Sequence, residues 1–167
     1  MKRTGYIFEK ICAEENILRA IENASRGKHN RRVVQNVIEH KEQAAAEIKV
    51  LLESGAYKPK PYKPFEIMDG PRQKQRTIYC PAFYPDQIVH WAIMQIIEPI
   101  LMKGMYEFSC GSIPGRGMHY GKRYIERWLR RDRKHTKYCL KLDIKKYYPH
   151  IDNAVLKSRF RRKIKDQ

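Results

Sequence analysis

The chain has 167 residues, enough for one domain or a piece of a larger one. Hydrophobic residues make up 42%, so a core can form and a disordered basic tail is excluded. No apolar run approaches the roughly 18 residues of a membrane span, and the N-terminus lacks the layout of a secretory signal. The net charge is +17 and unevenly placed: residues 1–57 carry 10 Lys/Arg against 8 Asp/Glu, and residues 58–167 carry 25 against 10. Such asymmetry points to a polyanionic partner, most commonly nucleic acid. Cys12, Cys80, Cys110 and Cys139 are far apart with no C-x-x-C, which argues against a zinc knuckle or disulfide scaffold and for reduced thiols in a cytosol.

In chain order, Ile17, Leu18, Ile21 and Ala24 share one face of a short helix that Ser25-Arg26-Gly27-Lys28 ends. A longer helix is expected over about Val33 to Glu53, with apolar residues at three- and four-residue steps and Gly55 as its stop. Lys58 to Pro64 carries three prolines and reads as extended. Phe65-Glu66-Ile67 and Arg76-Thr77-Ile78-Tyr79 flank the turn signal Asp69-Gly70-Pro71, giving a hairpin with a basic loop, Arg72-Gln73-Lys74-Gln75-Arg76. A mostly buried helix is expected over about Asp86–Leu101, with Pro99 kinking or ending its last turn. A glycine-rich loop over 109–117 precedes a helix to about Arg131, read with Met118, Gly121, Ile125, Trp128 and Leu129 inward and Arg123, Arg127 and Arg130 outward. Residues 138–143 read as a strand ending on an acid, and Asn153–Ile164 as a basic helix. The class is α+β with helices dominating.

Asp143 is the most informative residue. A carboxylate at the end of a central strand can hold a hard cation over a cleft, since Mg²⁺ takes one or two carboxylates plus phosphates and water. Lysines and backbone amides just beyond it suit a triphosphate. A strand-end Asp also commonly does no more than cap the next turn. Arg116, Lys122, Arg123, Arg127, Arg130 and Arg131 precede it in the loop and helix, and such a run is either a solvated face or a nucleic-acid surface. Arg116 stands between two glycines, where a backbone can approach a partner closely. His135 and Cys139 have metal-like spacing without partners, so no metal is assigned to them.

Leu140-Lys141-Leu142-Asp143-Ile144-Lys145-Lys146-Tyr147-Tyr148-Pro149-His150-Ile151-Asp152 resembles the first catalytic motif of reverse transcriptases. The likeness is closest to the bacterial kind: group II intron, retron and diversity-generating enzymes. Arg76-Thr77-Ile78-Tyr79-Cys80-Pro81 resembles the fingers strand of that family. Asp86 to Ala92, with Ile97-Glu98-Pro99-Ile100-Leu101, resembles the helix after it. Phe108-Ser109-Cys110-Gly111 with Pro114-Gly115-Arg116-Gly117 resembles the loop before the palm helix. The four segments stand in the family's order over roughly residues 58–160.

The resemblance implies helix-rich fingers with a short β-hairpin leading into an incomplete polymerase palm: an N-terminal helical segment 1–57, fingers 58–108, and the start of a palm 109–167. It implies an RNA-directed DNA polymerase working with Mg²⁺ (or Mn²⁺) on an RNA template, a DNA primer and dNTPs in a bacterial cytoplasm. Asp143 would be the first metal-binding carboxylate and the Ile144 carbonyl a further metal ligand. Amides near Lys146 and Tyr147 would approach the triphosphate. Tyr148, with Tyr147 as the competing choice, would exclude a ribose 2′-hydroxyl. Arg76 matches the fingers arginine on the triphosphate, and Lys74 and Arg72 are candidates for the fingers lysine. The arginines of 116–131 would lie near the template. The family's second acidic motif, primer grip and thumb are absent, and Lys165-Asp166-Gln167 reads as mid-helix, so a truncated, inactive chain prone to self-association is expected. The alternative reading is a non-catalytic RNA- or DNA-binding module.

Overall fold

The computed structural model describes residues 3–71 and 73–166. The described residues are mixed α+β: seven α-helices and one two-stranded antiparallel hairpin. They form two compact units, the first running to Ile100 and resuming at Arg161, the second spanning Leu101–Phe160.

The first unit holds the core. Helices α1 (Ile7–Cys12), α2 (Glu14–Ser25), α3 (Arg32–Glu39) and α4 (Lys41–Glu53) pack around α2. Of the apolar face expected of α2, Ile17, Ile21 and Ala24 are 0–1% exposed and Leu18 is partly buried; Ala20, at 0%, completes the buried face. Each buried isoleucine is worth about 1.5–3 kcal/mol. The single long helix expected over 33–53 is instead two. His40 (φ −119°, ψ 38°) interrupts it, its backbone N–H donating to the Asn36 carbonyl and ending α3. The apolar stripe lapses over Glu39 to Gln43, so no burial holds the helix straight there. Gly55 takes φ +68° just past α4, a backbone conformation glycine adopts without steric cost.

Strands β1 (Lys63–Asp69) and β2 (Lys74–Cys80) pair in antiparallel register, Phe65 opposite Ile78 and Ile67 opposite Arg76. Lys74 and Gln75, expected in the hairpin loop, belong to β2, which therefore starts before Arg76, the first residue of the expected strand. Most positions on both faces of the ribbon are exposed. A wide turn, Phe83–Gln87, leads into α5 (Ile88–Met102). Ile88, Val89 and Ala92 are buried, but Trp91 and Met94 are exposed and Ile93, Ile96, Ile97 and Ile100 only partly covered. Burial therefore fades along α5, contrary to expectation, because α1 to α4 supply a wall for its first half. Pro99 lies within the helix on an exposed position, and the helix continues to Met102.

Polar groups stitch this unit. Asn16 donates from Nδ2 to the carbonyls of Ile11 (3.1 Å) and Ala92 (3.0 Å), and Gln95 donates to the Asn16 carbonyl (3.1 Å) and Oδ1 (2.9 Å). Asp86 is fully buried and accepts from the Tyr57 hydroxyl (2.9 Å) and the Lys60 backbone N–H (3.1 Å). The connector into β1 is thereby fastened to the start of α5. Residues 163–166 are not helical, contrary to expectation. The Thr4 N–H donates to the Lys163 carbonyl and the Thr4 carbonyl accepts from the Lys165 N–H, both at 2.8 Å, bridging Thr4 to Ile164. Asp166 Oδ2 accepts from the N–H groups of Ile7 and Phe8 at the head of α1. These donors, Phe8 first, hold the Asp166 carboxyl below its ordinary pKa.

In the second unit no described residue is fully buried. Helix α6 (Met118–Arg131) packs through Tyr120, Gly121, Tyr124 and Trp128. The inward positions expected at Met118, Ile125 and Leu129 are 82%, 53% and 46% exposed. Phe108 decides the face: its ring meets Tyr106, Tyr124 and Trp128 edge-on at centroid separations of 5.2, 4.8 and 4.6 Å. Such contacts add about 0.5–1.5 kcal/mol each. Gly121 lets Cys110 close in, since a Cβ there would lie 3.1 Å from the Cys110 sulfur. The strand expected over 138–143 is not formed. Tyr138, Leu140 and Leu142 are 95%, 82% and 80% exposed. An alternating pattern makes a strand only beside a partner that takes its N–H and C=O groups, and the described residues offer this segment none. Helix α7 (Asn153–Arg161) starts at Asp152, whose Oδ1 accepts from the N–H of Ala154 (2.7 Å) and Val155 (3.1 Å). It ends three residues short of the expected Ile164, where the chain turns toward Thr4.

Candidate nucleic-acid interface

Lys74 and Arg76 lie on the same face of β2, in the first unit. Arg76 is paired: its Nε lies 2.7 Å from Asp69 Oδ2 across the hairpin, with both side chains about half exposed. Asp69 therefore presets the guanidinium, and a phosphate must compete with that carboxylate. Exposed pairs of this kind contribute at most about 1 kcal/mol, a small barrier to exchange. Arg72 lies outside the described residues.

The remaining candidates belong to the second unit. Arg116 is turned back on its own loop, donating to the Glu107 carbonyl (3.2 Å) and standing over the Tyr120 ring at 5.8 Å. Lys122 faces Glu126 at 3.7 Å. Arg127 stands over the Tyr124 ring at 5.1 Å. Arg123, Arg130 and Arg131 meet no carboxylate among the described residues. With Glu126 and Arg127 they line a shallow groove of about 460 Å³. Tyr124 is the residue that residue-by-residue reading missed, although Tyr120, Tyr124 and Trp128 recur at four-residue steps, the signal for one helical face. The result is a helix with an aromatic seam flanked by guanidiniums that meet no carboxylate among the described residues. The Tyr120 hydroxyl donates to the Glu107 carbonyl at 3.1 Å, and the neighbouring Tyr124 raises the Tyr120 pKa.

Asp143 is exposed and makes no hydrogen bond or ion pair among the described residues. The chain then bends: Lys146 takes φ +52°, and its carbonyl accepts from His150 Nδ1 at 2.9 Å. The His150 N–H donates to the Tyr147 carbonyl at 3.2 Å, so residues 146–150 close on themselves. Tyr147 and Tyr148 meet edge-on at 5.3 Å, Tyr148 being the more exposed at 81% against 53%. The Ile144 side chain is 68% exposed. The nearest acids in sequence are committed elsewhere, Asp152 to capping α7 and Asp132 to His135 at 3.0 Å. Among the described residues no three His, Cys, Asp or Glu side chains converge. Asp143 thus fits as one ligand of a divalent cation, solvent-facing and unneutralised, and does not by itself complete a two-ion centre.

No protein-family model matches the chain, and no curated protein matches it. None of the helices among the described residues is long and apolar enough to cross a membrane.

Proposed function

We propose that the chain is the fingers and first part of the palm of an RNA-directed DNA polymerase, acting in the bacterial cytoplasm on an RNA template, a DNA primer and dNTPs. The observation that carries this reading is the run from Asp143 to Tyr148, standing fourth in a series of segments that resemble reverse transcriptases in the family's own order. The unneutralised Asp143 and the neighbouring exposed Tyr147 and Tyr148 support it. The chemistry supplied by Mg²⁺ or Mn²⁺ in this reaction would be divided between two ions, one for the primer hydroxyl and one for the leaving pyrophosphate, and Asp143 would help hold them. The Ile144 carbonyl would supply a further oxygen ligand. Lys146 would meet the triphosphate, Tyr148 would crowd a 2′-hydroxyl, and Lys74 and Arg76 would reach phosphate from the hairpin. The α6 arginines would hold the template backbone.

The test is primer extension on an RNA template in a full-length polypeptide containing this sequence. Asp143→Ala is expected to abolish synthesis and leave template affinity within about twofold, because it removes a metal ligand and no phosphate contact. Tyr148→Ala is expected to raise ribonucleotide incorporation. The 167-residue chain alone is expected to extend nothing. Undiminished synthesis in Asp143→Ala refutes the assignment. A second reading, a nucleic-acid-binding module without catalysis, is favoured by α6, whose guanidinium face needs no metal. It shares the expectation that affinity falls with salt at a log–log slope of about −3 to −5, for four to six phosphates neutralised.

A further inference from the structure

Averaged over residues 1–57 the charge is nearly balanced, but no Asp or Glu stands between Glu22 and Glu39, and Arg26, Lys28, Arg31 and Arg32 all fall in that gap. The loop joining α2 to α3 carries the first three and Arg32 opens α3, and the fold sorts them. Gly27 at φ +71° turns the chain out of α2, and two consecutive turns follow, Lys28 N–H to Ser25 O (2.9 Å) and Arg31 N–H to Lys28 O (3.0 Å). Lys28 is drawn inward, its ammonium donating to the Ala24 carbonyl (3.0 Å) and Gln87 Oε1 (2.6 Å). Arg26, His29, Arg31 and Arg32 are left exposed, and none makes a side-chain hydrogen bond or ion pair among the described residues. Arg32, Val33, Gln35, Asn36 and, at the far end, Glu39 line one open side of α3.

We propose that this loop and the open side of α3 beside it form a second binding site for single-stranded nucleic acid, in the first unit. The proposal rests on the nucleic-acid reading above and adds to it a site that neither the net-charge argument nor the motif series marks. Guanidiniums without acidic partners pay no exchange cost when they meet phosphates, and they bind them in a fixed fork. Beside them, two primary amides offer donors and acceptors to base edges, and Val33, half exposed, offers an apolar surface to a base face. The Glu39 carboxylate repels phosphate from the far end, so a strand lies with its backbone on the Arg31 and Arg32 side. The inward Lys28 fixes the loop and takes no part in the contact.

The test uses the whole chain, isotope-labelled and titrated with a single-stranded hexauridylate while backbone amide shifts are followed. Amides of Gly27–Val33 are expected to shift in the wild type and not in Arg26→Gln/Arg31→Gln/Arg32→Gln. With a longer single strand, that triple variant is expected to lower the log–log salt slope by about 2 and to bind roughly 50-fold more weakly at 0.15 M salt, from three contacts at about 0.7 each. Unchanged circular dichroism confirms that the exposed arginines were not holding the fold. Shifts confined to Arg123–Arg131 overturn this site and leave the nucleic-acid reading standing. Absence of shifts anywhere overturns both.

Discussion

Replacing Asp86 probes the joint on which the hairpin hangs. The carboxylate is fully buried and accepts two bonds, from the Tyr57 hydroxyl at 2.9 Å and the Lys60 N–H at 3.1 Å. Bonds to an ionised acceptor are worth about 1.5–3 kcal/mol each. Tyr57 is only half-buried and Lys60 is exposed, so water recovers part of the loss once the acceptor is gone. Asp86→Ala should therefore cost about 3 kcal/mol. Asp86→Asn, which keeps one acceptor oxygen, should cost about half that. For a chain of 167 residues the alanine change corresponds to a fall in melting temperature of about 6–12 °C. Tyr57→Phe removes one of the bonds, and in a double-mutant cycle with Asp86→Ala it should show a coupling of about 1–2 kcal/mol. Thermal denaturation gives the totals. Amide exchange at 57–60 gives the location, because the connector should open before the helices do. A shift under about 2 °C for Asp86→Ala, or no coupling to Tyr57, would refute the claim that this buried acid anchors the connector.

Three other expectations follow from the same geometry. Asp143→Ala should leave the melting temperature of this chain within about 1 °C, since an exposed, unpartnered carboxylate holds nothing in place, and a larger change would show that it does. Phe108→Ala should destabilise the second unit by about 2 kcal/mol through loss of three ring contacts, and Phe108→Leu by less; Trp128 fluorescence in a Trp91→Phe background reads it. Asp166 has a depressed pKa, so its contribution is complete above the ordinary carboxylate value of 3.8 and is lost as pH falls below it. Protection of the Ile7 and Phe8 amides, relative to their intrinsic exchange rates, should accordingly fall on acidification in the wild type, and Asp166→Asn should remove that pH dependence.

Much of the first unit was legible because its elements are decided locally. The face of α2, the hairpin with its Asp69-Gly70-Pro71 turn and the stop at Gly55 each rest on periodicity or on one residue's backbone preference. What failed depended on partners distant in sequence. The 33–53 helix breaks at His40 because burial on α2 rewards its two halves separately. The face of α6 is set by Phe108, ten residues upstream of its start, which no helical wheel contains. The 138–143 segment has a strand's alternation, but a ladder needs a second chain segment. The candidate residues were legible as types, while their pairing was not: nothing in the sequence says that Arg76 meets Asp69 or that Arg116 folds back on Glu107, whereas Asp143 stays free.

The bond between Asp166 and the head of α1 spans a sequence separation of 158 residues. Six residues are too few for a helix to persist alone in water. On a ribosome α1 thus waits for residues made 158 positions later, about 8–30 s at ordinary elongation rates of about 5–20 residues per second. During that interval the face that α1 covers on α2 and α4 is open. Nascent-chain stalling at successive lengths would see α1 protected only after residue 166 clears the exit tunnel.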